Sequence, residues 1–163
     1  MEGLERIKEE SRAHGLCRDY SERWDSCRSL REMIDLAGGP DGLMFLARCC
    51  TDGYGPSEGW IADNFRGFIN GRYTSVLHGG DGTFTSRLYC SHEGDITVDT
   101  TLCGVIGCRG TVHVAQNNIC RIYADASSEL VIDCPHGAVA IVMSPLGTIP
   151  VHGEGTVRFM DLK

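Results

Sequence analysis

Nine cysteines and six histidines are the side chains of this sequence best suited to bind a metal ion or to act as nucleophiles. Two close pairs occur, Cys-Ser-His at 90–92 and Cys-Pro-His at 134–136. Neither pair belongs to a C-x-x-C motif or precedes H-x-x-x-H, the spacings that hold zinc tetrahedrally. Cys90, Cys103 and Cys120 recur instead at apolar positions of a repeating pattern, which favours small buried side chains. We therefore expect no metal site, no cofactor and no catalytic cysteine.

No other motif predicts catalysis or nucleotide binding. The sequence has no G-x-S-x-G, and its glycines stand singly at turns rather than between a strand and a helix. A helix predicted near 58–69 could belong to a helix-turn-helix, but Arg66 is its only cation. The net charge of −7 does not provide the basic surface that nucleic acids or anionic membranes require. We expect neither partner, and the absence of these motifs argues against an enzyme.

Four carboxylates at predicted outward positions of a β-repeat could bind or cleave a glycan. They are Asp95, Asp99, Glu129 and Asp133. Asp95 and Asp99 are predicted to lie two coils away from Glu129 and Asp133, which corresponds to a separation of about 9–10 Å. This separation is near the upper limit for the two carboxylates of an inverting glycosidase. Other polar residues share that face, namely Thr97, Thr111, His113, Thr148 and His152. A solvated surface is the simpler interpretation, and a glycan-binding or glycan-cleaving protein is the alternative hypothesis.

A repeat between Thr83 and Asp161 would position these residues. Apolar pairs at i and i+2, which share one face of a strand, recur through it. One series is Ile96/Val98, Val112/Val114, Leu130/Ile132 and Ile149/Val151, and the other is Leu88/Cys90, Cys103/Val105, Cys120/Ile122, Val139/Ile141 and Val157/Phe159. Turn residues separate the pairs. Two interleaved series with one period of about 18 residues predict a coil of two strands. An antiparallel meander is the alternative.

The chain before this repeat predicts helices. Leu4 and Ile7 indicate a short opening helix, and Asp19 can cap a second, longer one. The apolar stripe of this longer helix is Tyr20, Trp24, Cys27, Leu30, Ile34 and Ala37. Glycines and a proline at 38–40 end it. Shorter helices follow near 41–50 and 58–69.

Together these patterns predict an α+β chain. A small N-terminal α-helical cap, residues 1–73, would cover the open first coil of a C-terminal single-chain β-solenoid, residues 74–163. We expect four to five coils of two strands each. An uncovered coil end exposes unpaired backbone groups, which makes it a natural seat for the helices.

The second strand series carries apolar residues on both sides of its strands. Its predicted outward residues include Leu102, Ile106, Ile119, Tyr123, Ala138, Ala140, Val142 and Met160, and Ile141 is predicted to face inward. A strand that is apolar on both sides is normally covered on both sides. We therefore predict a homo-oligomer, a dimer or trimer, whose interface comprises Leu102, Ile106, Ile119, Tyr123, Val142 and Met160.

The cellular location is predicted from the first fifteen residues, from the length of the apolar runs and from the cysteines. The first fifteen residues are charged throughout and contain no apolar core of a signal peptide. No apolar run approaches the length of a membrane span. An odd number of cysteines then indicates reduced thiols, so we expect a cytoplasmic location.

Several local motifs carry a resemblance to known proteins. They are Gly15-Leu16-Cys17, the helix of Tyr20 and Trp24, and Phe68-Ile69-Asn70-Gly71-Arg72-Tyr73, followed by the β-repeat. This arrangement resembles uncharacterised proteins of gut-bacterial genomes and mobile elements that have a helical head and a short β-helix tail. The repeat alone is loosely similar to the β-helices of bactofilins and adhesin heads. The resemblance implies a phage or mobile-element origin but brings no known activity and no functional residue. Because no catalytic motif is found and one solenoid face is apolar, our leading functional hypothesis is a non-enzymatic structural or interaction protein of such origin that oligomerises through this face.

Overall fold

The computed structural model describes residues 2–13, 18–79 and 82–162 of the chain. The predicted motif at 15–17 lies outside the described residues. The side chains of Leu4, Ile7, Asp19 and Tyr20 also lie outside them.

The described residues begin with helices. They are α1 (Glu2–Ala13), α2 (Arg18–Ser26), α3 (Leu30–Ala37), α4 (Pro40–Asp52), α5 (Glu58–Asn64) and a 3₁₀ turn (Arg66–Phe68). The single long helix predicted up to Ala37 is wrong, because a new helix begins after Ser29. The Ser29 side chain accepts a hydrogen bond from the Glu32 amide, and the Glu32 carboxylate accepts one from the Arg28 amide. These bonds form an N-terminal cap in the middle of the predicted helix.

Ten strands follow the helices in the described part of the chain. They are β1 (Ser75–Gly79), β2 (Gly82–Cys90), β3 (Ile96–Val98), β4 (Leu102–Ile106), β5 (Arg109–Val114), β6 (Ile119–Ala124), β7 (Glu129–Asp133), β8 (Val139–Met143), β9 (Val151–His152) and β10 (Thr156–Met160). From β2 to β10, successive strands along the chain belong alternately to two sheets. The six-stranded sheet runs β1-β2-β4-β6-β8-β10, and the four-stranded sheet runs β3-β5-β7-β9.

This alternation is a β-solenoid of about four coils, which confirms the predicted fold class. Every neighbouring pair is parallel except β1 and β2, which form an antiparallel hairpin. Parallel pairing places residues one coil apart beside each other. Ile96 pairs with Val112, and Val112 pairs with Ile132.

The interior of the solenoid is a closed stack of small apolar side chains from both sheets. Its members include Val98, Cys103, Val105, Val114, Cys120, Ile122, Ile132, Ala140 and Val142. The predicted orientation of β8 is wrong, because Ala138, Ala140 and Val142 point inward and Ile141 points outward. The register places Val142 beside Ile122 inside the solenoid. All five residues of β8 are apolar, so a period of two cannot tell its faces apart.

The helices cover the outer face of the six-stranded sheet rather than the end of the first coil, which corrects the predicted position of the cap. Helix α4 packs on β4 and β6, α3 packs on β1, and α5 packs on β2. The shared core includes Trp24, Met33, Leu43, Leu46, Phe65, Leu88, Leu102, Ile106 and Tyr123. Gly104 permits a close approach of α4 to the sheet, since a Cβ there would lie 2.7 Å from Leu88 and 2.8 Å from Leu43.

A substitution at Gly104 tests this contact between the helices and the solenoid. Gly104→Ala inserts a methyl group between two buried leucines, so we expect unfolding to become easier by about 1–3 kcal/mol. Denaturant unfolding followed by circular dichroism measures the change. Gly59→Ala is the matched control, because its Cβ would meet nothing within 4 Å and alanine favours a helix. An unchanged free energy of unfolding in Gly104→Ala would contradict the close packing of Leu43 and Leu88 at Gly104.

Candidate functional site

The predicted acidic face is centred on a histidine. His113 lies on β5 beside Asp133 of β7. Its Nδ1 atom is 2.8 Å from an Asp133 carboxylate oxygen, and its Nε2 atom is 3.4 Å from Asp95. The hydrogen bond to Asp133 raises the pKa of His113, and the contact with Asp95 adds to this, while partial burial opposes it. The imidazole, on the middle one of three successive coils, therefore connects one carboxylate from each of the two neighbouring coils.

The other two predicted acidic residues lie at separate places. An Asp99 oxygen is 2.6 Å from the Arg87 guanidinium, and a Glu129 oxygen is 3.1 Å from Arg109. The structure thus brings Asp95 and Asp133 together around His113, but it adds neither Asp99 nor Glu129 to that site. Each of the four carboxylates has a basic neighbour. This arrangement does not resemble a general acid and base facing a shared cleft.

A polar hollow that the sequence did not reveal lies where α5 meets a corner of the solenoid. It has a volume of about 380 Å³ and is lined by Glu58, Ser91, Glu93, Gly107, Arg109 and Ser127. The Ser91 hydroxyl donates a hydrogen bond to the Glu58 carboxylate over 2.7 Å. Gly107 has φ +60, and a Cβ there would overlap that carboxylate. The Glu58 side chain therefore fixes α5 to the corner, and Ser57, which caps α5, is the sequence signal closest to it.

The described cysteines are free thiols, and most are buried. Burial raises the pKa of Cys49, Cys90 and Cys120 to about 12 and that of Cys108 to about 11. A protonated thiol is a poor nucleophile and a poor metal ligand. Among the described residues, no group of three or more histidine, cysteine or acidic side chains is arranged to hold a metal ion.

The predicted oligomer interface needs correction. Leu102, Ile106 and Tyr123 are each 1% exposed and lie in the core beneath the helices. Val142 is buried inside the solenoid. These four residues cannot contact another chain while the helices stay in place. The helices thus cover the apolar outer strand faces around Leu102, Ile106 and Tyr123 from which the interface was predicted, whereas Val142 does not belong to an outer face.

The remaining two predicted interface residues are exposed, and they mark an apolar surface that the helices do not reach. Ile119 is 68% exposed and Met160 is 53% exposed. Between them lie Val139 and Ile141, which are half-buried. A groove of about 230 Å³ runs beside Ile119 and is lined by Phe84, Thr101, Leu102, Ile119, Cys120, Arg121 and Ile141. We call the surface formed by Ile119, Val139, Ile141 and Met160 the uncovered patch.

Comparisons with known proteins found no matching family model, no similar curated protein and no similar solved structure. The described helices include none that is both long enough and apolar enough to cross a membrane.

Thiol accessibility tests the assignment of the cysteines as buried side chains. We expect a thiol reagent to modify few positions in the folded protein and all nine after denaturation. Cys27 is half-buried and thus partly accessible, so Cys27→Ser should reduce the number of thiols that react rapidly in the folded protein. Cys103 is buried, so Cys103→Ala should leave that number unchanged. Rapid modification of most thiols in the folded protein would contradict the assignment.

The raised pKa of His113 predicts a pH-dependent contribution to stability. The imidazolium stabilises the fold fully below the pKa of the unfolded chain, and this contribution disappears as pH rises through the folded pKa. His113→Gln should therefore destabilise the protein more at pH 5 than at pH 8. We expect a difference below about 1 kcal/mol, because the side chain is 39% exposed and screened by water.

Denaturant midpoints at the two pH values measure this effect, and His136→Gln, in an exposed turn, is the control. An equal loss of stability for His113→Gln at both pH values would show that the ion pairs of His113 with Asp95 and Asp133 contribute nothing to the free energy of unfolding.

Proposed function

We propose that the chain is a non-enzymatic structural or interaction protein that self-associates through the uncovered patch. The exposure of Ile119 beside half-buried Ile141 is the observation that carries this proposal. Both belong to strands whose inner faces are already filled by the solenoid core. Apolar side chains on the outer face of such strands gain free energy when a second surface removes them from water.

The helices explain why only part of the outer face of the six-stranded sheet is available for contact with another chain. They cover the outer side chains of β2 and β4 and the Tyr123 end of β6. The outer side chains of β8 and β10 remain half-buried or exposed. A patch of four side chains is small for a specific interface, so we expect a dimer or trimer that dissociates on dilution.

The charges around the patch suit a partner surface that carries carboxylates. Register places Ile141 between Arg121 and Arg158, and both arginines are exposed. A chain with a net charge of −7 offers many carboxylates to two exposed guanidinium groups. Complementary charge around an apolar centre is a common interface arrangement.

Two further parts of the proposal concern the location and the origin of the protein. The free thiols of the described cysteines support a cytoplasmic location, since reducing compartments keep thiols unpaired. A phage or mobile-element origin rests on the sequence resemblance alone. The glycan-directed alternative has less support than self-association, because Asp95, Asp99, Glu129 and Asp133 each lie beside a basic side chain.

Ile119→Lys tests the role of the patch. Ile119 is mostly exposed, so the variant should fold normally while the dissociation constant of the oligomer rises about tenfold or more. Sedimentation velocity across a range of concentrations measures this change. Thr97→Lys is the control, since Thr97 is exposed on the opposite sheet. A wild-type protein that stays monomeric at high concentration would refute the proposal.

A further inference from the structure

The outer face of the six-stranded sheet already binds helices over its first coils. Helix α4 packs on β4 and β6, and α5 packs on β2. Met143 of β8 still packs against the shared core, whereas its register neighbour Met160 on β10 is 53% exposed. The sheet face on which the helices pack therefore continues beyond them as the uncovered patch.

The centre of the uncovered patch is an apolar line along β8. Val139, Ile141 and Met143 alternate with buried residues on this strand and are half-buried themselves. Alternate residues of a parallel strand are about 6.6 Å apart, and residues four apart in an α-helix are separated by a rise of about 6 Å. A helix that lies along β8 can therefore place successive apolar side chains on successive residues of this line.

Two arginines flank this line, one on each side. Arg121 of β6 and Arg158 of β10 both pair with Ile141 in the register, and both are exposed. Neither forms an ion pair with another described residue, whereas Arg87 and Arg109 each hold a carboxylate. Arg121 and Arg158 are therefore available to a partner.

The separation of the two arginines suits a helix between them. Strands β6 and β10 lie two strand spacings apart, which is roughly 10 Å. An α-helix with its side chains has a diameter of about 10–12 Å. The guanidinium groups of Arg121 and Arg158 can thus reach carboxylates on both flanks of a helix that lies along β8, and such charge-assisted hydrogen bonds fix its position.

We propose that the uncovered patch binds an acidic amphipathic helix of a partner protein, which lies along β8 between Arg121 and Arg158. This inference rests on the proposed role of the patch as an interaction surface, and it names an occupant other than a second copy. The helix carries apolar side chains toward β8 and carboxylates on both sides of that stripe. Arginine and methionine are both enriched at protein interfaces, and the flexible side chains of Met143 and Met160 adapt to the shape of a helix.

The groove beside Ile119 provides an anchor position at one side of the line. It has a volume of about 230 Å³, and its walls include Leu102 and Ile141. A large apolar side chain of the partner helix can fill it, as anchor residues do where helices bind apolar grooves.

The partner helix and a second copy of the chain compete for this surface. In a contact between two copies of the patch, the arginines of both copies come close together, and this like charge weakens the contact. An acidic helix brings the opposite charge to the same arginines. It should therefore displace the second copy, so that self-association depends on whether the partner is present.

Two synthetic peptides test the proposal. The probe is a fluorescein-labelled helical peptide of about 18 residues, with leucine at the a and d positions of its heptads, glutamate at e and g, and alanine elsewhere. The control peptide has glutamine in place of glutamate. Fluorescence anisotropy, with the peptide far more dilute than the protein, measures the dissociation constants. We expect the glutamate peptide to bind about fivefold more tightly or better.

Variants of the flanking arginines locate the peptide. Arg158→Gln should weaken binding of the glutamate peptide about two- to fivefold, because it removes an exposed ion pair, and should leave binding of the glutamine peptide unchanged. Arg109→Gln, on the opposite sheet, is the matched control and should change neither. Equal binding of the two peptides, or equal effects of Arg158→Gln and Arg109→Gln, would overturn the proposal.

Sedimentation velocity with and without the glutamate peptide separates this proposal from self-association. We expect the peptide to convert the oligomer into a monomer. A protein that is monomeric at every concentration yet binds the peptide with the expected charge dependence would refute self-association and support the helix. A protein that self-associates and binds neither peptide would assign the patch to a second copy and overturn the helix. An oligomer that persists with the peptide bound would also overturn it.

Discussion

The packing of the helices on the outer face of the first coils is the interaction on which the rest of the structure depends. Without it, Leu102, Ile106 and Tyr123 would expose their side chains to water from strands that are already filled on the inside. The absence of a side chain at Gly104 lets Leu43 of α4 approach the sheet. Strands that are apolar on both faces are stable only in such a three-layer arrangement.

This packing also divides the surface into parts with different properties. The four-stranded sheet keeps a polar outer face whose carboxylates lie beside basic groups, including His113 between Asp95 and Asp133. The six-stranded sheet is covered over its first coils and remains apolar around Ile119 and Met160. The described surface therefore has an apolar region flanked by two exposed arginines on one sheet, and a polar face on the other sheet where Asp95, Asp99, Glu129 and Asp133 each lie beside a basic side chain.

The sequence predicted the repeat well because each coil places apolar residues two apart, and the interior of a solenoid requires that period. It failed at β2, where Leu88 and Cys90 face the helices instead of the interior. It also failed at β8, where five consecutive apolar residues contain no period and only the stacking of Val142 on Ile122 sets the face. It also missed the helix start at Ser29, because the apolar stripe of Trp24 and Ile34 continues across the break.

The predicted site was limited in the same way. An apolar stripe shows that a helix is covered, but it does not show which surface covers it, so an internal packing surface was interpreted as an oligomer interface. The cluster around His113 follows from the pairing of His113 with Asp133, twenty residues apart, and a period of about 18 residues did not specify this pairing. The contact of Glu58 with Ser91 depends on the tertiary position of α5 and has no sequence signal of its own.

The most direct test of this account follows the unfolding of the two layers separately in one protein. Both tryptophans, Trp24 and Trp60, lie in the helices and pack in or against the shared core, so their fluorescence reports the helical layer. Circular dichroism in the β-sheet region reports the solenoid. If the layers share one core, both signals should change together in a single guanidinium transition. A fluorescence change completed at a lower denaturant concentration, with the β-signal still intact, would show that the helices are not an integral layer and would contradict the account.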